Sequence, residues 1–219
     1  MDYIAYIIDF ILHLDIHLEQ LIEAYGTWIY VILFLVIFCE TGLVVTPFLP
    51  GDTLLFVAGT LSSINSNHLN VHLLAISLIG AAVLGDSTNY IIGKFFGERL
   101  FRNPNSKLFK QSNLEKTRTF YQKHGGKTIV LARFFPIIRT FAPFVAGMGS
   151  MSYKRFSSFN VIGGVAWVSL FSYLGYFFGG LSIVKNNLWV LVIAINFISL
   201  IPAAVEYLRS RKVAKTDLQ

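Results

Sequence analysis

The sequence predicts an all-α integral membrane protein. Its expected fold is an inverted repeat of two re-entrant helical hairpins, each followed by transmembrane helices, behind an N-terminal amphipathic helix. Three observations carry this reading. Hydrophobic residues make up 54% of the 219 residues and charged residues only 14%, well below the roughly 25% charged content of soluble domains. Three stretches, Leu73–Gly97, Phe156–Gly180 and Asn187–Val205, reach the about 20 apolar residues that cross the hydrocarbon core. Two motifs also recur in the same order. Phe56-Val-Ala-Gly59 returns as Phe144-Val-Ala-Gly147, 88 residues later, and Ile92-Gly-Lys-Phe-Phe-Gly97 returns as Leu174-Gly-Tyr-Phe-Phe-Gly179, 82 residues later. That is the mark of an internal duplication with a small difference in loop length.

Residues 1–24 read as the amphipathic helix. Asp2, Asp9, His13, His17 and Gln20 recur at near-helical spacing opposite Ile4, Ile7, Ile8, Ile11 and Leu14, which suits a helix at the interface or packed on the bundle. Asp9, His13 and His17 have a spacing that could grip a metal. A plain polar helix face explains them as well, and we assign no metal site and expect no cofactor. The single cysteine, Cys39, excludes an intrachain disulfide. The N-terminus has no basic region and no small-residue cleavage site, so no removed signal peptide is expected.

The membrane domain is expected over 25–208. Its first unit is a re-entrant segment, 25–62, broken at Thr46-Pro-Phe-Leu-Pro-Gly51, followed by the span 73–97. The second is a re-entrant segment, 124–150, broken at Phe134-Phe-Pro-Ile-Ile-Arg139, followed by spans 156–180 and 187–208. Proline at each break removes a backbone donor, and bilayer hydrocarbon cannot satisfy the carbonyls left over. Broken segments at matching places in two halves point to a transport site at the midplane. Pro47, Pro50, Gly51, Pro136, Pro143 and Gly147 are the expected structural positions of the two breaks.

Charge sets the expected orientation. Residues 1–93 hold eight carboxylates and no lysine or arginine, and nine of the 18 cations lie between Lys94 and Lys127. In a soluble chain this would suggest nucleic acid. Here it reads as a cytoplasmic loop, 98–123, obeying the positive-inside rule, and no nucleic-acid partner is expected. If 124–150 returns to the side it enters from, Lys154, Arg155 and the basic tail 209–219 share the side of that loop, and only Lys185 lies opposite. A full crossing would split them, so the two units have inverted topology.

Four ionisable residues lie in or beside the breaks: Glu40, Asp52, Arg133 and Arg139. A charge near the bilayer centre costs about 2.5–3.5 kcal/mol on insertion scales, so intramembrane charges are functional candidates. Asp52, after Pro50-Gly51, is placed either to cap a second half-helix or to pair with an arginine. Asp86 and Asn89 lie about one turn apart on the first span, beside Tyr90 and Gly93. They line the cavity or relay protons, or Asp86 pairs with Lys94 or hydrogen-bonds across helices. Gly85, Gly93, Gly97, Gly175 and Gly179 have the small-residue spacing of close helix crossings.

Glu40 with Pro47-x-x-Pro50-Gly51-Asp52, Gly85-Asp86-x-x-x-Tyr90-x-x-Gly93-x-x-x-Gly97, and Arg133-Phe-x-Pro136-x-x-Arg139 with Ala146-Gly147 resemble the DedA family over nearly the whole chain. The resemblance implies a bacterial inner-membrane protein with paired re-entrant hairpins, related to eukaryotic lipid scramblases of the autophagy machinery. It implies a role in returning undecaprenyl phosphate across the inner membrane and in proton-dependent envelope homeostasis. The family's essential acidic pair falls on Glu40 and Asp52, and its arginine pair on Arg133 and Arg139.

The expected mechanism follows from electrostatics. At rest Glu40 and Asp52 neutralise Arg133 and Arg139, because unpaired buried charges are costly. A proton on a carboxylate, with Asp86 as a possible relay, would release an arginine to a lipid phosphate. The expected partners are therefore protons and an anionic membrane lipid, and the sequence is compatible with a homo-oligomer. The competing reading is a proton-dependent antiporter of small solutes or drugs, against which two arginines favour an anionic cargo. An enzyme is not expected: His13, His17, His68, His72 and His124 lie away from the arginines, and phosphatase chemistry usually needs a histidine nucleophile with a base beside it.

Overall fold

A computed structural model of the chain describes residues 14–43, 51–64, 69–100, 125–149, 151–181 and 190. Among them the regular structure is helical: α1 (Leu14–Tyr25), a 3-10 turn (Gly26–Trp28), α2 (Ile29–Gly42), α3 (Gly51–Ile64), α4 (Val71–Leu100), α5 (Lys127–Ala132), α6 (Pro136–Met148) and α7 (Tyr153–Gly179). The expected third span, 187–208, the basic loop, the tail, Pro47, Pro50 and four of the five apolar residues assigned to the N-terminal helix lie outside the described residues.

Three helical stretches are long and apolar enough to cross a membrane, by length and composition: Ile16–Gly42, Val71–Phe96 and Tyr153–Gly179. The last two match the spans expected at 73–97 and 156–180. Ile16–Gly42 combines residues that the sequence reading divides between an amphipathic helix and the first arm of a hairpin. Gly26, at φ 52, falls at that division, and its left-handed conformation ends α1. Apolar composition nevertheless runs straight through it. The stripe Leu14, Leu18 and Ile22 of α1 is buried in a core shared with Leu54, Leu55, Val57, Ala58 and Leu61 of α3, so α1 packs on the bundle.

α3 is buried on every side from Gly51 to Ser62, as an apolar helix without a polar face must be. The second break lies at Arg133–Phe135, slightly earlier than expected. Phe135 is extended (φ −120, ψ 107) and Pro136 opens α6, as the steric demand of proline on its predecessor requires. Arg139 therefore lies within helix α6 and not in the break. Pro143 sits inside that helix and withholds the N–H that the Arg139 carbonyl would otherwise accept.

The motif repeat has a direct counterpart in packing. α3 packs chiefly on α7, and α4 chiefly on α6. A Cβ at Gly59 would run into the Ser172 carbonyl, and one at Gly147 into the Tyr90 carbonyl. Likewise Gly175 faces the Phe56 carbonyl and Gly93 the Phe144 carbonyl. Each pair of contacts is related by the same two sequence offsets as the motifs. The exposures agree too: Phe95 and Phe177 are 71% and 70% exposed, Phe96 and Phe178 52% and 51%. Each copy of Phe-Val-Ala-Gly thus packs against the aromatic-glycine helix of the other unit.

Candidate functional site

Two buried arginines organise the interior, each with its own set of partners. Arg139 extends from α6 and donates from Nη2 to Glu40 Oε1 and from Nη1 to Asp52 Oδ1, both at 2.9 Å. Its guanidinium lies 4.2 Å over the Trp167 ring, and Trp167 Nε1 donates to the same Asp52 oxygen at 2.8 Å. Glu40, in the last turn of α2, reaches the start of α3, where Gly51 N–H donates to its Oε1 at 3.2 Å. Glu40 thus satisfies one of the orphan donors of α3, while Asp52 sits in the first turn, where the helix dipole favours a carboxylate. Gly51 is needed for a steric reason: a Cβ there would overlap the Glu40 carboxylate.

Arg133 follows α5 and turns the other way. Its Nη2 donates to Asp86 Oδ2 at 2.5 Å and to Asn160 Oδ1 at 2.5 Å. Asn160 in turn donates to the Val83 carbonyl at 3.0 Å and to Ser87 Oγ at 3.3 Å. The absence of side chains at Gly163 and Gly164 makes room for the arginine, since a Cβ at Gly163 would come within 3.0 Å of its Cδ. Asn89, fully buried on α4, donates to the Thr41 carbonyl at 3.1 Å and to the Thr140 carbonyl at 2.7 Å, tying the end of α2 to α6.

This arrangement corrects the expected pairing. Glu40 and Asp52 do not divide between the two arginines; both bind Arg139. Asp86 is the counter-ion of Arg133 and pairs with it rather than with Lys94. Asp86, Asn89, Tyr90 and Gly93 share a buried face of α4 as expected, and the Tyr90 hydroxyl donates to the Met151 carbonyl.

Five charged groups thus meet within the bundle, all of them buried: two guanidiniums and three carboxylates, a formal balance of −1 if all are ionised. Among the described residues, Glu40 Oε2, Asn89 Oδ1 and Arg133 Nε are buried without a hydrogen-bond partner. Breaking a buried ion pair by removing one member costs about 3–5 kcal/mol, because the other charge is left uncompensated. Loss of any one partner therefore leaves a buried charge uncompensated unless another ion takes the vacated place. Among the described residues no group of three His, Cys, Asp or Glu side chains is placed to hold a metal. Asp9 and His13, the possible partners of His17, lie outside them.

Sequence reasoning missed Trp167 and Asn160, which sit seven residues apart on one face of α7. Each carried a signal within an otherwise apolar span: a buried indole N–H seeks an acceptor, and a buried asparagine amide needs partners on neighbouring helices.

A family model described as the VTT domain matches residues 49–177. Protein DedA of Escherichia coli K12 is 59% identical over 214 residues, 98% of either chain. A membrane protein of Mycobacterium tuberculosis H37Rv, described only as uncharacterized, is 42% identical over 80% of this chain and 77% of its own. Inner membrane protein YqjA of Escherichia coli K12 is 33% identical over 69% of this chain and 68% of its own. No solved structure matches.

Proposed function

Since the chain belongs to the DedA family of VTT-domain membrane proteins, we propose that it is a proton-coupled flippase. Its cargo is undecaprenyl phosphate or a related anionic phospholipid, returned across the bacterial inner membrane for envelope biogenesis. The observation that carries this reading is the pairing of two buried arginines with carboxylates from other helices. A guanidinium is suited to bind a phosphate through two parallel hydrogen bonds. Here the carboxylates hold that place at rest, and a proton on one of them releases it.

The cluster's formal balance of −1 supports a role for a proton. Glu40 is the first acceptor in this scheme, because its Oε2 is a fully buried carboxylate oxygen without a hydrogen-bond partner. Protonated Glu40 leaves Arg139 with Asp52 alone, and the lipid phosphate completes the guanidinium's ligation. Loss of the proton on the cytoplasmic side restores Glu40 and expels the headgroup. A proton moving down about 100 mV supplies about 2.3 kcal/mol, enough to bias the exchange more than tenfold. Asp86 and Arg133 form the second station.

Re-entrant hairpins of inverted topology fit the same scheme. α3 has 14 residues and α6 has 13. At 1.5 Å per residue they extend about 20 Å, short of the about 30 Å hydrocarbon core. The glycine contacts related by the repeat offsets support two equivalent units. A carrier is favoured over an enzyme because His72 lies at an exposed helix start bonded to Tyr173 and His17 on α1, both away from the arginines.

The test is transbilayer movement of undecaprenyl phosphate in reconstituted vesicles. The expected result is movement that rises with an inward proton gradient and is lost in Arg139→Ala and Arg133→Ala. Gradient-driven proton exchange with a small solute, and no lipid movement by folded protein, would favour the antiporter instead.

A further inference from the structure

The two sequence units are not the two packed bodies of the molecule. α3 of the first unit packs backbone-to-backbone on α7 of the second through Gly59 and Gly175, and α4 of the first on α6 of the second through Gly93 and Gly147. α2 joins the α4–α6 pair: a Cβ at Gly85 would meet the Phe38 carbonyl and the Thr41 hydroxyl, and Asn89 bonds the Thr41 and Thr140 carbonyls. α5 joins the α3–α7 pair. The Phe159 ring sits where a Cβ at Gly126 would go, and Arg133 packs on Gly163 and bonds Asn160.

Contacts between these two groups run through side chains instead: both apolar cores hold residues of each group, and the Tyr90 ring of α4 stacks on Phe156 of α7. They include the ion pairs Arg139–Asp52 and Arg133–Asp86, the amide of Asn160 on Val83 and Ser87, the indole of Trp167 over Arg139, and the bond between His72 and Tyr173. Glycine-to-carbonyl packing leaves no side chain that could rearrange, whereas side-chain contacts can change rotamers and polar partners as packed helices slide by small amounts.

We infer that the parts moving against each other are two crossed bodies, α2–α4–α6 and α3–α5–α7, and that the phosphate group enters the seam where α4 meets α7. The inference rests on the lipid-phosphate reading for its cargo and on packing alone for its division. Each ion pair that spans the seam has its cation on one body and its carboxylate on the other, in opposite senses. Arg139 belongs to the first body and Asp52 to the second; Arg133 belongs to the second and Asp86 to the first. A phosphate that binds either guanidinium therefore removes a tie between the bodies. Glu40 shares a body with Arg139 but accepts from the Gly51 N–H of the second body, so its protonation weakens both the ligation of the cation and one tie across the seam.

The test uses cysteine pairs in a Cys39→Ala background. His72→Cys with Tyr173→Cys spans the seam, while Tyr30→Cys with Asn70→Cys lies within the first body, where the Asn70 N–H donates to the Tyr30 hydroxyl at 2.7 Å. Bridging the first pair with a bifunctional thiol reagent is expected to lower undecaprenyl phosphate movement at least tenfold, with recovery on reduction. Bridging the second should change it less than twofold. Transport within twofold of the unbridged protein after complete 72–173 bridging overturns the inference. A second measurement is independent of cargo: spin labels at exposed Leu84 and Val165 cross the seam, and labels at exposed Leu84 and Phe141 do not. A pH step should shift only the first distance distribution. If it does while no protein moves the lipid, the division stands and the lipid-phosphate reading falls. If the second distribution shifts as much as the first, the division falls whatever the cargo.

Discussion

At Arg133 the guanidinium meets one carboxylate and one amide, whereas at Arg139 it meets two carboxylates and an indole ring. Removing one counter-ion therefore has different consequences at the two sites. Asp86→Asn leaves Arg133 buried without a negative partner and should destabilise the protein by about 3–5 kcal/mol, read as earlier thermal unfolding in detergent. Replacing both residues, Asp86→Leu with Arg133→Met, should recover most of that stability while transport stays lost. Failure of the double variant to recover would mean that the pair contributes more than charge compensation. Trp167→Phe retains an aromatic face for Arg139 but takes from Asp52 a buried donor, a loss of about 1–3 kcal/mol. Trp167→Ala removes both and should cost more. Equal unfolding shifts for the two variants would show that the N–H, and not the ring, matters. The four charged residues at the breaks were legible in the sequence because an ionised group in an apolar run needs a reason. Their pairing was not: Arg139 lies 99 and 87 positions from its carboxylates and Arg133 lies 47 from its own, separations that only the crossing of helices resolves.

Among the helices, glycine decides which surfaces can meet. Gly93 on α4 and Gly175 on α7 face the carbonyls of Phe144 and Phe56, positions equivalent under the repeat. Gly93→Ala and Gly175→Ala should each displace the apposed backbone, at a cost of about 1–3 kcal/mol typical of overpacking. The two shifts in unfolding midpoint should agree closely, and a neutral change at one with a severe change at the other would contradict the equivalence. The spans over 71–96 and 153–179 could be read directly because long apolar runs leave little choice. The half-helices were harder. Pro136 marked the second break, but α6 starts there and carries Arg139 inside it, since proline opens a helix as readily as it ends one. At the N-terminal end, the structure sets a boundary at Gly26 that composition alone ignores.

At the scale of the whole molecule, the described residues form an all-helical bundle around a buried ionic cluster, and charge is unevenly distributed along the chain. The all-helical class followed from composition, because a chain this apolar must satisfy its backbone within helices. The duplication was visible in two short motifs, yet their cross-packing was not, because sequence order says nothing about which copy meets which. With the basic loop and tail inside, Lys185 should react with an impermeant amine reagent added outside intact cells while Lys154 should not; the reverse pattern would invert the proposed topology. The central claim is that a proton and a lipid phosphate exchange at the same arginine–carboxylate cluster. It is tested most directly by recording proton uptake and undecaprenyl phosphate movement together in the same vesicles. We predict that lipid in the membrane triggers proton movement in fixed proportion, and that Glu40→Gln abolishes both. Lipid crossing at the full rate without protons, or protons crossing at the full rate without lipid, would contradict it.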